Sequence, residues 1–368
     1  MVLQMSSLSL FSNWKQPRAL RRQLAALALG LPLSAALAIA TSPQAYAAPG
    51  VVVTIKPIHS LIAAVMQGIG APELLIEGST SPHELALKPS QAAKLQKADL
   101  IIWVGENLES ALEKPLASLG KQDGVLELME IDGLQLLSYR DSDDWGHPDH
   151  DDHEDHHDAQ HEAGHADHEE HADHADHGDH EEADHEDGHP EGAHHHTGLD
   201  AHIWLSPNNA KLIAATVAAR LGAMDPDNAA RYQENARALE ISISALSDEI
   251  NSRVAAARGT GMIVFHDAYH YFEESFDLHF EAAVSPNPEV QSGASSMSAL
   301  ETLVKERGIR CIFAEPQFTA KRVKLLQESS GLKIGTLDPL GADLAAGPDL
   351  YPALLTAMAD AIATCAKD

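Results

Sequence analysis

The chain has 368 residues, 44% of them hydrophobic, which is enough to bury a sizeable core in one or two domains. Its formal charge is −30, from 25 Lys and Arg against 55 Asp and Glu. That balance argues against nucleic acid or an anionic membrane surface as a partner and is compatible with attracting cations.

Lys15, Arg18, Arg21 and Arg22 precede an apolar run from Leu24 to Ala40, followed by Pro43 and the small-residue pattern Ala45-Tyr46-Ala47. This order reads as a secretory signal over residues 1–47, cleaved after Ala47. The run is short and broken by Pro32, so it is a poor membrane span. No Cys follows it to carry a lipid anchor. The mature protein is therefore expected in a periplasm, and not as a lipoprotein.

Gly50 to Ile55 is a β-branched run ending at Lys56-Pro57, with a helical pattern from about Ile58 to Gln67. Leu74 to Ile76 and Leu100 to Val104 read as further buried strands.

From Asp141 to His196 the sequence is built from little but His, Asp and Glu: 17 of the chain's 23 His, 22 acidic residues and no Lys or Arg. Up to Pro190 its one large apolar residue is Trp145. Ordering such a segment costs roughly 1–2 kcal/mol of backbone entropy per residue with no burial in return, so it is expected to be a disordered insertion. A solvated spacer needs only solubility, which Ser, Gly or Glu supply. Imidazole and carboxylate are ligands for divalent cations, and the tract reads as metal-binding. His165, His168, His171, His174, His177 and His180 recur every third residue, a pattern that overlapping weak sites can share.

After the tract, Ala201 to Leu205 runs into Ser206-Pro207, a helix start with Ser as cap and Pro at the first position. Asp225-Pro226-Asp227-Asn228 is another start, and no Gly or Pro interrupts the chain from there to about Arg258. Some thirty helical residues span about 45 Å, more than the diameter of a small domain, so this helix is expected to link two lobes. Gly259 to Gly261 ends it. Strands resume at Met262 to Phe265, Arg310 to Ala314 and Lys333 to Leu337. The patterning is α/β.

Two cysteines, Cys311 and Cys365, are most economically a single disulfide in an oxidising compartment, tying the C-terminal helix to a strand. Their separation lacks the short spacing of thiolate zinc sites.

Open α/β sheets bind ligands beyond the carboxyl ends of their strands. His59, His266, Glu315 and Asp338 each follow such an end, His83 lies in a Ser-Pro-His turn, and His202 stands beside a Trp. Outside the tract there are six His (59, 83, 202, 266, 270 and 279), so their concentration at these positions is informative. His270 and His279 read as structural or surface residues.

The segments Ser81-Pro82-His83-Glu84-Leu85-Ala86-Leu87-Lys88-Pro89-Ser90, Asp200 to Pro207, Phe265-His266-Asp267-Ala268-Tyr269, Ala314-Glu315-Pro316-Gln317-Phe318 and Thr336 to Gly341 resemble the zinc-specific solute-binding proteins of bacterial ABC importers, the ZnuA-like group. The likeness spans nearly all of residues 50–368. It implies two similar α/β lobes joined by one long rigid helix, a metal site between the lobes, and a His-rich loop placed where the tract lies. The boundaries it implies are an N-terminal lobe over 48–224 containing the 141–196 loop, a linking helix over 225–258, and a C-terminal lobe over 259–368.

Carried over residue by residue, the resemblance makes His83, His202, His266 and Asp338 the metal ligands, and it pairs Cys311 with Cys365. His59 is a candidate additional ligand. Glu315 is expected to orient a ligand or pack the lobes. Three neutral imidazoles and one carboxylate suit four-coordinate Zn2+ better than Mn2+, and manganese-binding relatives have an acidic residue where His266 stands. Pro82 departs from zinc members that place a Glu before the first ligand His.

The resemblance implies a receptor that delivers Zn2+ to a membrane permease with its cytoplasmic ATPase, as a monomer and without catalysis. Other readings are a zinc buffer or metallochaperone serving other periplasmic zinc proteins, and the same receptor role for Mn2+ or Fe2+. A zinc hydrolase built on His59, His83 and His202 with Glu315 as base would lack H-E-x-x-H or any comparable signature.

Overall fold

The structure is a computed structural model and describes residues 48–140, 145, 198–285 and 294–367. The expected leader over 1–47 and the six regularly spaced histidines from His165 to His180 lie outside the described residues.

Two four-stranded parallel sheets organise the chain. In the first, β1 (Val51–Val53), β2 (Glu73–Leu74), β3 (Leu100–Trp103) and β4 (Val125–Glu127) run in the order β2-β1-β3-β4. In the second, β5 (Met262–Val264), β6 (Ala282–Ala283), β7 (Cys311–Ala314) and β8 (Lys333–Thr336) run in the order β6-β5-β7-β8. The two orders are the same, so each half repeats one topology. Parallel strands covered on both faces become continuous apolar runs. Val51 to Val53, Leu100 to Trp103 and Met262 to Val264 are buried throughout. The edge strands β2, β4, β6 and β8 carry less of that signal; β4 and β6 are absent from the sequence reading.

The helices are α1 (Lys56–Val65), α2 (Pro89–Lys97), α3 (Ser110–Ser118), α4 (Pro207–Met224), α5 (Ala229–Val254), α6 (His270–Phe276), α7 (Ala294–Arg307), α8 (Lys321–Ser330) and α9 (Leu350–Ala366). Helix α1 starts two residues before the sequence pattern does, because Pro57 sits in the first turn, where a missing N–H costs nothing. Ser206 caps α4 by accepting from the Asn209 amide, with Pro207 at the first helical position.

Helix α5 has 26 residues, about 39 Å, and follows a 3-10 turn at Pro226–Asn228. It buries Tyr232, Ala236, Leu239, Ile243, Ile250 and Val254, spaced so that one face is apolar. That face packs on α4 and α1 from the first half and on α9 from the end of the chain. Cys311 of β7 and Cys365 of α9 form a disulfide, closing a sequence separation of 54.

Candidate metal centre

Three loops bring three imidazoles together. His83 lies in the turn between β2 and α2. His202 opens a 3-10 turn, Ile203–Leu205, that leads into the capped start of α4. His266 follows β5. His202 and His266 are each 3% exposed, and their ring centroids lie 5.2 Å apart. The His83 ring stands 5.5 Å from His202 and 6.1 Å from His266. Each of the three offers a nitrogen within 4.8 Å of the others, and among the described residues this is the one such group of His, Cys, Asp or Glu.

Buried carboxylates orient two of the rings. His202 Nδ1 is 2.7 Å from Asp200 Oδ1, which also accepts the His202 backbone N–H at 2.9 Å. His266 Nδ1 is 2.7 Å from Glu315 Oε1, which also accepts the His266 backbone N–H. A carboxylate facing Nδ1 places the proton there and leaves Nε2 with a free lone pair. His202 Nε2 and His266 Nε2 are 3.3 Å apart. Two lone pairs held that close repel unless a cation lies between them. In tetrahedral coordination with bonds of about 2.0–2.1 Å, neighbouring ligand atoms are about 3.3–3.4 Å apart, so the pair is spaced to share one ion.

Burial holds His83 and His202 well below the ordinary imidazole pKa, and charge on the neighbouring rings acts in the same direction. Both are neutral near pH 7, the form a metal requires. Burial also pushes the Asp200 carboxyl up to about 6. His83 Nε2 is buried without a hydrogen-bond partner. The rings face a cavity of about 10 Å³, closed by Ser81, Pro82, Trp204, Phe318 and Leu340, with room for one occupant the size of a water or an ion.

Asp338 is not within the three-histidine group. Its Oδ1 accepts from Gln317 Nε2 at 2.7 Å and from the Leu340 and Gly341 amides at 3.0 Å, and its Oδ2 accepts from the Ala342 amide at 2.5 Å. The carboxylate thus organises the loop after β8, where Gly341 takes φ +67°. His59 is buried inside α1, hydrogen-bonded through Nε2 to the Pro72 carbonyl at 3.1 Å, and is outside the group as well. His279 is an exposed side chain, as expected of a surface residue.

Sequence reasoning assigned no role to Asp200, Gln317 or Arg140. The signal for Asp200 was its place two residues before His202. Arg140 carried none, because its partners are distant in sequence: its guanidinium pairs with Asp267, next to His266, and with Glu273 of α6. Trp145, in the first residues of the acidic tract, is buried with its ring 3.9 Å from that guanidinium. Trp145 is thus held by a guanidinium whose own partners, Asp267 and Glu273, lie in the half of the chain that carries His266.

A family profile described as zinc-uptake complex component A, periplasmic, matches residues 51–365. The high-affinity zinc uptake system protein ZnuA of Brucella abortus is 42% identical over 316 residues, covering 86% of this chain and 91% of that one. Its counterpart in Haemophilus ducreyi is 38% identical over 315 residues, covering 86% and 92%. Among solved structures, the periplasmic zinc binding protein TroA from Treponema pallidum shares the fold with a TM-score of 0.66 at 18% identity, covering 87% of this chain and all of that one. The chain belongs to the family of periplasmic zinc-uptake components, the ZnuA family.

Proposed function

We propose that this chain is the high-affinity zinc receptor of a bacterial ABC importer, capturing Zn2+ in the periplasm and passing it to a membrane permease coupled to a cytoplasmic ATPase. The observation that carries this reading is the 3.3 Å pair of His202 Nε2 and His266 Nε2, each ring oriented by a buried carboxylate, with His83 alongside. Relatives named as high-affinity zinc uptake system proteins support the choice of cargo. Zinc is transported rather than used, so no catalytic step is assigned.

His83 and His202 from the lobe over 48–224, and His266 from the lobe over 259–368, supply three ligands. Asp338 supplies the fourth by exchanging its Gln317 hydrogen bond for the ion while the loop amides go on holding it. Four protein ligands leave no open position for a reactive water. His59 takes no part. The helix over 225–258 resists hinge bending, so release proceeds by local loop movement or slight lobe tilt.

Residues 1–47 act as a cleaved export signal without a lipid anchor, the mature protein works as a monomer, and the tract over 141–196 is an accessory that gathers zinc weakly. Zinc titration of the mature protein tests the site: His202→Ala should abolish tight binding, and nanomolar-class affinity surviving that change would refute the assignment. Deletion of the gene should impair growth under zinc chelation; normal growth of the deletion strain would favour a buffering role.

A further inference from the structure

The loop that carries Asp338 is held from two sides. Its amide N–H groups at Leu340, Gly341 and Ala342 converge on the Asp338 carboxylate. Three of its carbonyl groups meet an ammonium from the other half of the chain. Lys56 Nζ donates to Gly341 O at 3.1 Å, Ala342 O at 2.6 Å and Leu344 O at 3.1 Å. An ammonium has three N–H donors, and here all three acceptors are main-chain oxygens of one loop. Lys56 is the first residue of α1, fixed just beyond β1, and the residues it grips are 285 to 288 positions away.

The grip bears on the metal centre through Leu340. This residue lines the three-histidine cavity and also a second small cavity bounded by Ile55, Lys56, Ile76 and Thr80. Pro339, the preceding residue, accepts from Trp204 Nε1 at 2.8 Å, and Trp204 is two residues from His202. Movement of the loop away from Lys56 therefore opens the wall of the cavity and shifts Asp338 together.

We propose that Lys56 is a positioning residue for zinc retention: its ammonium latches the Asp338 loop across the seam between the halves and sets how fast the bound ion escapes. The inference rests on the zinc-receptor reading above. The latch is separable from folding, because the same seam is also tied by Ser60 Oγ to Pro348 O at 3.0 Å, by the Tyr351 amide to Ser60 Oγ at 2.9 Å, and by Tyr351 OH to Trp204 O at 2.9 Å. Lys56→Met keeps the stem that packs in the seam and removes every donor.

The test is chelator-driven zinc release from the mature protein, followed by stopped flow, with hydrogen exchange of the amides at 340–342 measured in the zinc-loaded state. Lys56→Met should release zinc about tenfold faster or more, with an association rate within twofold of the parent and faster exchange of those amides. Lys56→Gln, which retains one donating group, should release zinc more than twofold faster than the parent but more slowly than Lys56→Met, and serves as the second variant if the first does not fold. A release rate for either folded variant within twofold of the parent, or unchanged exchange at 340–342, would overturn the latch. His202→Ala is measured in parallel: tight zinc binding that survives it would reject the receptor reading itself, whereas its loss beside unchanged Lys56 variants would reject only the latch.

Discussion

His202 Nε2 and His266 Nε2 stand 3.3 Å apart across 64 residues of sequence, and each ring has its other nitrogen against a buried carboxylate. Without a cation the pair is a local electrostatic cost, and with one it becomes two bonds. Metal should therefore stabilise the fold by mass action, by about 2.7 kcal/mol at a hundredfold excess over the dissociation constant. Thermal unfolding with and without Zn2+ should show this increase in the parent and lose it in His266→Ala. An equal increase in that variant would place the tight site elsewhere.

Asp200 and Glu315 act through the rings they orient. Replacing either with its amide, Asp200→Asn or Glu315→Gln, puts a donor or a weaker acceptor against Nδ1 and disturbs the tautomer. Partners of this kind are typically worth about 10–100-fold in metal affinity. Competition titration should show that loss with one ion still bound. Parental affinity in both variants would mean that the carboxylates serve packing alone.

Glu109 gives the fold a pH dependence unrelated to zinc. It is fully buried at the start of α3, accepting from Thr54 Oγ and from the Val104 and Gly105 amides, and burial pushes its pKa up to about 7 from 4.5. Between those values the folded state binds more protons than the unfolded state, so stability falls as pH rises through the window and levels off above it. In Glu109→Gln the amide oxygen can accept from the two backbone N–H groups while the amino group donates to Thr54. The variant should match the parent near pH 4.5 and exceed it by about 1–3 kcal/mol at pH 8. Denaturant unfolding of the zinc-free protein at both pH values checks this; a difference independent of pH would show that Glu109 does not titrate in this range.

The acidic tract should be dispensable for the tight site. Its sequence predicts no packed core, so each ion bound there must also order the chain, a cost that the preformed three-histidine cavity avoids. Deleting Asp141 to His196 should leave one tightly bound ion in a competition titration, remove the weak sites, and reduce uptake chiefly when zinc is scarce. Loss of the tight site on deletion would reverse this ranking.

Much of this was legible in the sequence because burial and chemistry coincide there. The apolar runs of β1, β3, β5 and β7, the Ser206-Pro207 start of α4 and the uninterrupted α5 each carry a local signal. The three histidines stood in recognisable motifs at strand ends or turns. What was not legible depends on contacts made only in the folded chain. Short edge strands such as β6 gain their identity from the neighbour they pair with. His59 was a candidate additional ligand because it follows a strand end, and only the packing of α1 turns it towards Pro72. Arg140 and Lys56 had no local pattern at all, since their acceptors lie more than a hundred residues away.

The anomalous diffraction signal of zinc in crystals of the loaded mature protein tests the three-histidine site directly. A peak is expected between the halves at about 2.0–2.1 Å from His202 Nε2 and His266 Nε2, with His83 as a third imidazole ligand. A fully occupied peak away from these rings, with His202 and His266 still 3.3 Å apart and free of metal, would contradict it.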